Sequence, residues 1–317
     1  MERIFIQIAS YRDPQCGPTI ANLLARARHP ERLSFGVCLQ WRRNDPADAA
    51  CGPLSLPDWQ QQRIDQHDAS DSQGVCWARS RCQQLWNGEA FTLQIDSHMR
   101  AEPDWDITLL ASWQRAGHPR AVLSCYPNGF SIEPGTGTEQ LDRGLLPILA
   151  AKEFDEHGIL RLQGISTFPI PDGLPSAPPT GAFLSAGMLF GPSSLIEAAP
   201  YDPELYFYGE ETTLAARLWT SGYELFNPDQ PALYHLYKRS GGSHTTHWAD
   251  HASWSKLNQR SLQRTKALLN DGANLGRYGL GRERSLAAYQ QWAGVNFQAR
   301  TITPQALSGR FGAGETS

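Results

Sequence analysis

Lysine is scarce in this chain: Lys152, Lys238, Lys256 and Lys266 are its only four, so arginine supplies nearly all of the 28 basic residues. Nor is there an excess of positive charge, since 32 acidic residues leave a formal net charge of -4. A chain with that balance has no general attraction for nucleic acid or an anionic membrane, and any phosphate it binds must meet a local site. No stretch approaches the roughly 20 apolar residues that a membrane span needs, and residues 1–8 lack a basic leader followed by a long apolar run. The expectation is a cytoplasmic protein with no membrane or nucleic-acid partner. Cysteine pairs at metal-binding or redox spacing are also missing. Cys16, Cys38, Cys51, Cys76, Cys82 and Cys125 lie apart without a C-x-x-C pair, and read as free, buried thiols. There is no internal repeat and no low-complexity tract.

What is present fits a globular α/β protein. At 317 residues, 40% hydrophobic and 19% charged, the chain can bury an ample core. Residues 4–9 form a short apolar run broken by Ser10-Tyr11-Arg12-Asp13-Pro14, the pattern of a buried strand that ends in a polar loop. Helical spacing follows over 19–28, then a second strand over 33–40, and strand-helix-strand is how a parallel sheet begins. A third strand is predicted over 63–67, a helix over 74–86 and a strand over 91–95, with Asp96-Ser97-His98 at its exit. Ligands in open parallel sheets bind beyond the carboxyl ends of strands, so residues 10–13 and 96–98 should share one rim. Residues 127–179 are punctuated by Pro and Gly and read as a loop-rich insertion with only short strands, such as 159–162. A central strand is expected over 181–190, an amphipathic helix over 212–221 and a longer helix over 248–269.

Asp96 and His98 carry the most chemistry. One residue separates them, so on extended backbone both side chains leave from one face and can chelate a single cation. A carboxylate with an imidazole suits Mn²⁺ better than Mg²⁺. Such an ion bridges two phosphates and stabilises the charge on a departing nucleoside diphosphate. Glu210 and Glu211 precede an amphipathic helix, where they cap its N-terminus or face the rim. His235 sits in a strand-like alternation with Leu233 and Tyr237, the setting of a structural histidine as much as of a ligand. His244, His247 and His251 form H-x-x-H-x-x-x-H, whose last two members could share a helix face around zinc, while His244 is an alternative to His235. Arg79 and Arg81, on the helix before the Asp96 strand, are placed to pair with Asp96 or a phosphate. Ser10, Tyr11 and Arg12 are candidates for the base and ribose of a nucleotide, with Asp65 and Ser97 completing that set.

Several segments resemble the N-acetylglucosaminyltransferase family that modifies hydroxyproline on the Skp1 protein, together with its bacterial relatives. They are Ile8-Ala9-Ser10-Tyr11-Arg12-Asp13, Gly36-Val37-Cys38-Leu39-Gln40, Ala78-Arg79, Leu93-Gln94-Ile95-Asp96-Ser97-His98-Met99-Arg100 and Tyr208-Gly209-Glu210-Glu211 with Arg217-Leu218-Trp219, then Tyr234-His235-Leu236-Tyr237 and Arg277-Tyr278-Gly279-Leu280-Gly281. The resemblance spans almost the whole chain, in order, and its most specific part is residues 94–100. It implies a GT-A type nucleotide-sugar transferase fold with a mostly parallel sheet and flanking helices. It also implies a UDP-GlcNAc donor, a divalent cation, retention of the α configuration, and a protein, peptide or glycan acceptor. Asp96 and His98 fall on its metal motif and His235 on the third ligand. The mucin-type polypeptide GalNAc transferases are similar in having a D-x-H motif, a later histidine and an acidic motif before a helix. Arg79 and one of Glu210 and Glu211 would then serve catalysis. Ala101 departs from the pattern, since an aromatic residue is expected after Met99-Arg100.

On this reading residues 1–275 form the catalytic domain: a nucleotide-binding half to 125, an acceptor half over 126–240 and a helix over 241–275. Residues 276–317 form an extension whose tail after about 310 is disordered. Two alternatives stay open at this stage, a sugar nucleotidyltransferase and a non-catalytic carbohydrate-binding protein. The first normally carries a glycine-rich, basic loop after its first strand, and Ser10-Tyr11-Arg12-Asp13-Pro14 is not one.

Overall fold

The computed structural model describes residues 2–54, 61–169, 177–238 and 245–311. In chain order the elements are β1 (Ile4–Tyr11), α1 (Cys16–Arg26), β2 (Leu33–Trp41), β3 (Gln61–Asp68), α2 (Val75–Gln83), β4 (Phe91–Asp96), β5 (Met99–Ala101), α3 (Trp105–Arg115) and β6 (Ala121–Ser124). Then come β7 (Asn128–Ile132), β8 (Glu139–Leu141), β9 (Leu145–Phe154), β10 (Leu160–Pro169), β11 (Met188–Pro192), α4 (Ser194–Ala198), α5 (Glu210–Thr220), β12 (Glu224–Phe226) and β13 (Leu233–His235). The chain continues through α6 (His247–Asp250), α7 (Trp254–Leu269), α8 (Leu286–Ala293), β14 (Val295–Asn296), β15 (Thr301–Ile302) and α9 (Pro304–Ser308).

Seven strands form the main sheet in the order β12-β6-β11-β4-β1-β2-β3. All neighbours run parallel except β11, which lies antiparallel between β4 and β6. Along β1, Ile4, Ile6 and Ile8 pack in one core while Phe5 packs in the other. Along β11, Met188 and Phe190 share the first core and Leu189 the second. Alternate residues therefore feed opposite faces and both faces are apolar, which requires helices on both sides. Ile20 and Leu23 of α1 with Trp105 and Leu109 of α3 cover the first face. Leu214 and Leu218 of α5 with Tyr289 and Ala293 of α8 cover the second. Each fully buried large apolar side chain contributes about 1.5–3 kcal/mol. The C-terminal segment belongs to this second core, where it buries Phe297, Ala306 and Phe311.

The structure departs from the sequence reading in three places. The central strand expected over 181–190 is confined to Met188–Pro192; the small residues before it run as irregular chain. The helix expected over 248–269 is two helices, α6 and α7. The supposed loop-rich insertion contains the β9–β10 hairpin of two ten-residue strands. Gly135, Gly137, Gly144 and Gly158 take positive φ between its strands, and a composition-based reading merges such turns into one loop.

A smaller sheet, β5-β13-β7-β8, sits beside the carboxyl end of β4. The chain reaches it through a turn at Ser97-His98, held by Thr19 of α1. The Thr19 hydroxyl donates to the Ser97 carbonyl and accepts from the Met99 N–H, both at 2.9 Å. On the opposite wall α5 begins at Gly209, whose φ of +91° is left-handed. A Cβ there would meet Thr265 Oγ1 at 2.3 Å. Gly209→Ala should therefore lower stability by about 1–3 kcal/mol, through both strain and overlap with α7. Urea unfolding checks this, with Gly88→Ala as the comparison, since Gly88 also has positive φ but no atom within 4 Å of a new Cβ.

Candidate active site

A cleft of about 710 Å³ opens beyond the carboxyl ends of β1 and β4 and is bounded by β10, β13, α6 and the start of α5. Asp96, His98 and His235 line it together, with one ligand atom from each lying within 4.8 Å of the others. Nε2 of His98 and Nε2 of His235 are 3.0 Å apart, and the latter is 3.1 Å from Asp96 Oδ2. Their meeting follows from the backbone. β5 continues directly from β4, and β13 pairs antiparallel with β5 so that His235 stands opposite Met99. The Leu236 N–H then donates to the His98 carbonyl.

Two members of the trio, His98 and Asp96, are held from behind. The His98 Nδ1 is 2.8 Å from Oδ2 of Asp13, a carboxylate only 1% exposed, to which Ser97 Oγ also donates at 2.6 Å. That contact requires the proton on Nδ1 and leaves the Nε2 lone pair facing the cleft. Burial pushes the His98 imidazole down and Asp13 only partly offsets this, so the ring is neutral at pH 7. For Asp96, burial alone would raise the pKa. The hydrogen bond from His235 and the field of Arg79 outweigh it and keep the carboxylate well below its usual range. Arg79 donates to Asp96 Oδ1 at 2.9 Å and also to the Ala186 carbonyl. Gly187 passes so close that a Cβ would lie 2.9 Å from Asp96 Oδ2. An ionised carboxylate and two imidazole nitrogens converging on a cleft are a donor set that fits a divalent cation such as Mn²⁺.

The two glutamates have separate surroundings, because successive helical side chains diverge by roughly 100°. Glu210 is buried, 3.2 Å from Arg79 Nε though not aligned as a hydrogen bond, and burial raises its pKa against the opposing charge of Arg79. Glu211 lines the cleft, accepting from the Tyr126 hydroxyl at 2.5 Å and the Ala186 N–H at 2.9 Å. Burial pushes it up to about 7.

A protein-family model described as Glycosyltransferase (GlcNAc) matches residues 3–66 and 55–299. The chain belongs to this glycosyltransferase family. A search of the curated proteins finds no match. Among solved structures, GalNAc-T7 crystallised with UDP, GalNAc and Mn²⁺ is similar at TM-score 0.54 and 13% identity, over 92% of this chain and 54% of that one. The chain thus spans about half the length of that relative, and the likeness establishes the GT-A fold. S. aureus TarS 1-349 in complex with UDP-GlcNAc aligns at TM-score 0.47 and 13% identity, over 91% of this chain and 70% of that one. Membership in the family argues against a sugar nucleotidyltransferase.

Of the residues singled out from the sequence, the glycosyltransferase brings Asp96, His98, His235, Arg79, Glu210, Glu211, Tyr11 and Ser97 to the cleft wall. Four others go elsewhere. Ser10 is fully buried. Arg12, expected at the nucleotide, spends its guanidinium on Asp45, Asp48 and Asp250, tying the loop after β2 to α6. Arg81 pairs not with Asp96 but with Asp65, at 2.6 Å, so neither of these two reaches the rim. Their helix and strand positions face away from the β4 exit, which spacing in sequence could not reveal. His247 and His251 make a poor zinc pair: their rings stack at 3.9 Å, both nitrogens of His247 bond to Tyr206 and Ser72, and Nε2 of His251 bonds to Tyr11 and Ala69. His244 lies outside the described residues.

Cys38, Asp65 and His67 form the other metal-capable group among the described residues. Burial raises the Cys38 thiol, and Arg81 already occupies Asp65, so the group is a poor cation site. The sequence reading put Asp13 on the rim without giving it a role and did not single out Gly187. Only the position of Asp13 in the loop after β1 hinted at its part.

The Glu211 carboxyl also sets a pH dependence. Its folded pKa lies above the ordinary 4.5, so its favourable contribution is complete below pH 4.5 and is lost as pH rises through about 7. The loss amounts to roughly 3 kcal/mol at most. Glu211→Gln should flatten the fall in stability between pH 4.5 and 7 measured by urea unfolding; an unchanged slope would place the titration elsewhere.

Proposed function

We infer that the enzyme transfers GlcNAc from UDP-GlcNAc to a hydroxyl acceptor, hydroxyproline on a protein or peptide among them, with retention and with a divalent cation, Mn²⁺ before Mg²⁺. The observation that carries this reading is the convergence of Asp96, His98 and His235 from two strands onto one cleft. The ion would be held by those three side chains and would supply charge neutralisation for the departing diphosphate.

The chain's own groups have distinct tasks in this scheme. Arg79 occupies Asp96 Oδ1 and leaves Oδ2 directed at His235, while Asp13 fixes the ring of His98. Tyr11 and Ser97 line the cleft at the ends of β1 and β4, where the nucleotide would sit in this scheme, and Tyr11 is braced by Asp250 at 2.6 Å. Glu210 is committed to Arg79, and Glu211 is held between Tyr126 and Ala186. Neither stands free as a nucleophile, which favours attack on the face of the leaving group over double displacement. Glu211, poised to gain or lose a proton near neutral pH, is suited to bond a hydroxyl of the donor sugar or the acceptor.

Purified protein given UDP-GlcNAc and Mn²⁺ should release UDP slowly without acceptor, and EDTA should stop it. Asp96→Asn should reduce release at least 100-fold. Asp13→Ala, which touches no substrate in this scheme, should weaken Mn²⁺ binding about 10- to 100-fold by calorimetry. Full activity of Asp96→Asn, or equal release with and without EDTA, would defeat the reading.

A further inference from the structure

Four of the exposed aromatic side chains, Phe207, Tyr208, Tyr237 and Trp248, line this one cleft, although they come from three separate segments. Phe207 packs edge-on against Tyr208 at 5.0 Å and against Trp248 at 5.6 Å, so the platform is assembled before any ligand arrives. The remaining wall at this end is the start of β10, where Leu160 and Leu162, with Ile159 just before the strand, also line the cleft. Exposed apolar surface concentrated beside reactive groups marks a binding surface.

Among the described residues lining this end of the cleft stands one basic side chain, Arg161. The Arg161 guanidinium lies 4.0 Å over the Tyr208 ring and has no carboxylate partner among the described residues. Stacking of this kind holds the fork in place while leaving its N–H donors available. The exposed Lys238 directly follows Tyr237. The nearest acids in the cleft, Glu210 and Glu211, are engaged by Arg79, Tyr126 and Ala186.

We propose that this mouth is the acceptor subsite and that it selects a peptide segment with acidic residues beside the hydroxyl to be modified. The inference rests on the transferase reading above and adds to it the chemistry of the acceptor. A peptide is favoured over an oligosaccharide by the lining. A sugar needs polar side chains around its ring edges, whereas the wall opposite the aromatics is aliphatic apart from Arg161. β10 also pairs with β9 alone among the described residues, and an irregularity between Arg161 and Leu162 brings both consecutive side chains to the cleft. An extended segment can lie along such a strand, its apolar side chains on the aromatics and a carboxylate on Arg161.

The test is a panel of peptides carrying serine, threonine or hydroxyproline, flanked by acidic, neutral or basic residues, plus uronic-acid oligosaccharides. Each is incubated with the full chain, UDP-GlcNAc and Mn²⁺. Transfer is read by mass spectrometry, and UDP release without acceptor is read in parallel. Acidic flanks should raise kcat/KM about tenfold over neutral ones, the scale of one charge-assisted hydrogen bond. Arg161→Glu should invert the ratio of acidic to basic peptides and Arg161→Gln should abolish the preference; this ratio is independent of any change at the donor site. Trp248→Ala should raise KM for peptide more than it lowers kcat. Equal use of all three peptide classes by an enzyme that still cleaves UDP-GlcNAc would overturn the subsite while leaving the transferase reading intact. Preferential modification of the acidic oligosaccharides would overturn the peptide assignment. Absence of UDP release under every condition would remove both readings together.

Discussion

The Asp96 carboxylate sits at the mouth of the central parallel sheet, ionised in a place where burial opposes its charge. It is kept so by Arg79 on one side and by two imidazoles on the other. Much of the architecture exists to satisfy that arrangement. α2 brings the guanidinium behind the carboxylate, and the turn at Ser97-His98 returns the chain to the same cleft. β13 then docks on β5 to deliver a histidine from 139 residues further along. A buried charge that loses its partner is costly, by several kcal/mol, so these elements are interdependent. The same positive and polar surroundings that stabilise Asp96 in the fold leave one of its oxygens at the cleft.

A second layer of support is indirect. Asp13 never faces the cleft, yet it holds both Ser97 and His98. Arg12 performs a similar service at the other end, binding three carboxylates and thereby securing α6 beside Tyr11. Loops after β1 and β2 thus act as scaffolding for side chains that strands present, a division of labour expected where a site must be rigid but open.

The alternating core was legible in the sequence because strands such as Ile4–Tyr11 are apolar on both faces, which only a sheet covered on both sides can bury. The Asp96-Ser97-His98 spacing was legible because period-two geometry is local. What could not be read was long-range direction. Arg12 and Arg79 look alike in sequence as arginines that could reach the rim, but one binds Asp45, Asp48 and Asp250 and the other reaches Asp96. Arg81, two residues from Arg79, points to another face of the same helix and meets Asp65. The β9–β10 hairpin was hidden because Pro and Gly at turns resemble loop composition. Asp13 was hidden because nothing local distinguishes a carboxylate that orients a distant histidine from one that caps a turn.

The most direct measurement is a crystal structure of the full chain with Mn²⁺ and UDP-GlcNAc, phased at the manganese edge. The expected result is a single anomalous peak within about 2.0–2.3 Å of Asp96, His98 and His235, with diphosphate oxygens completing its shell. A peak on other residues, or an ordered nucleotide in the cleft with no ion between it and Asp96, would contradict the proposed metal centre.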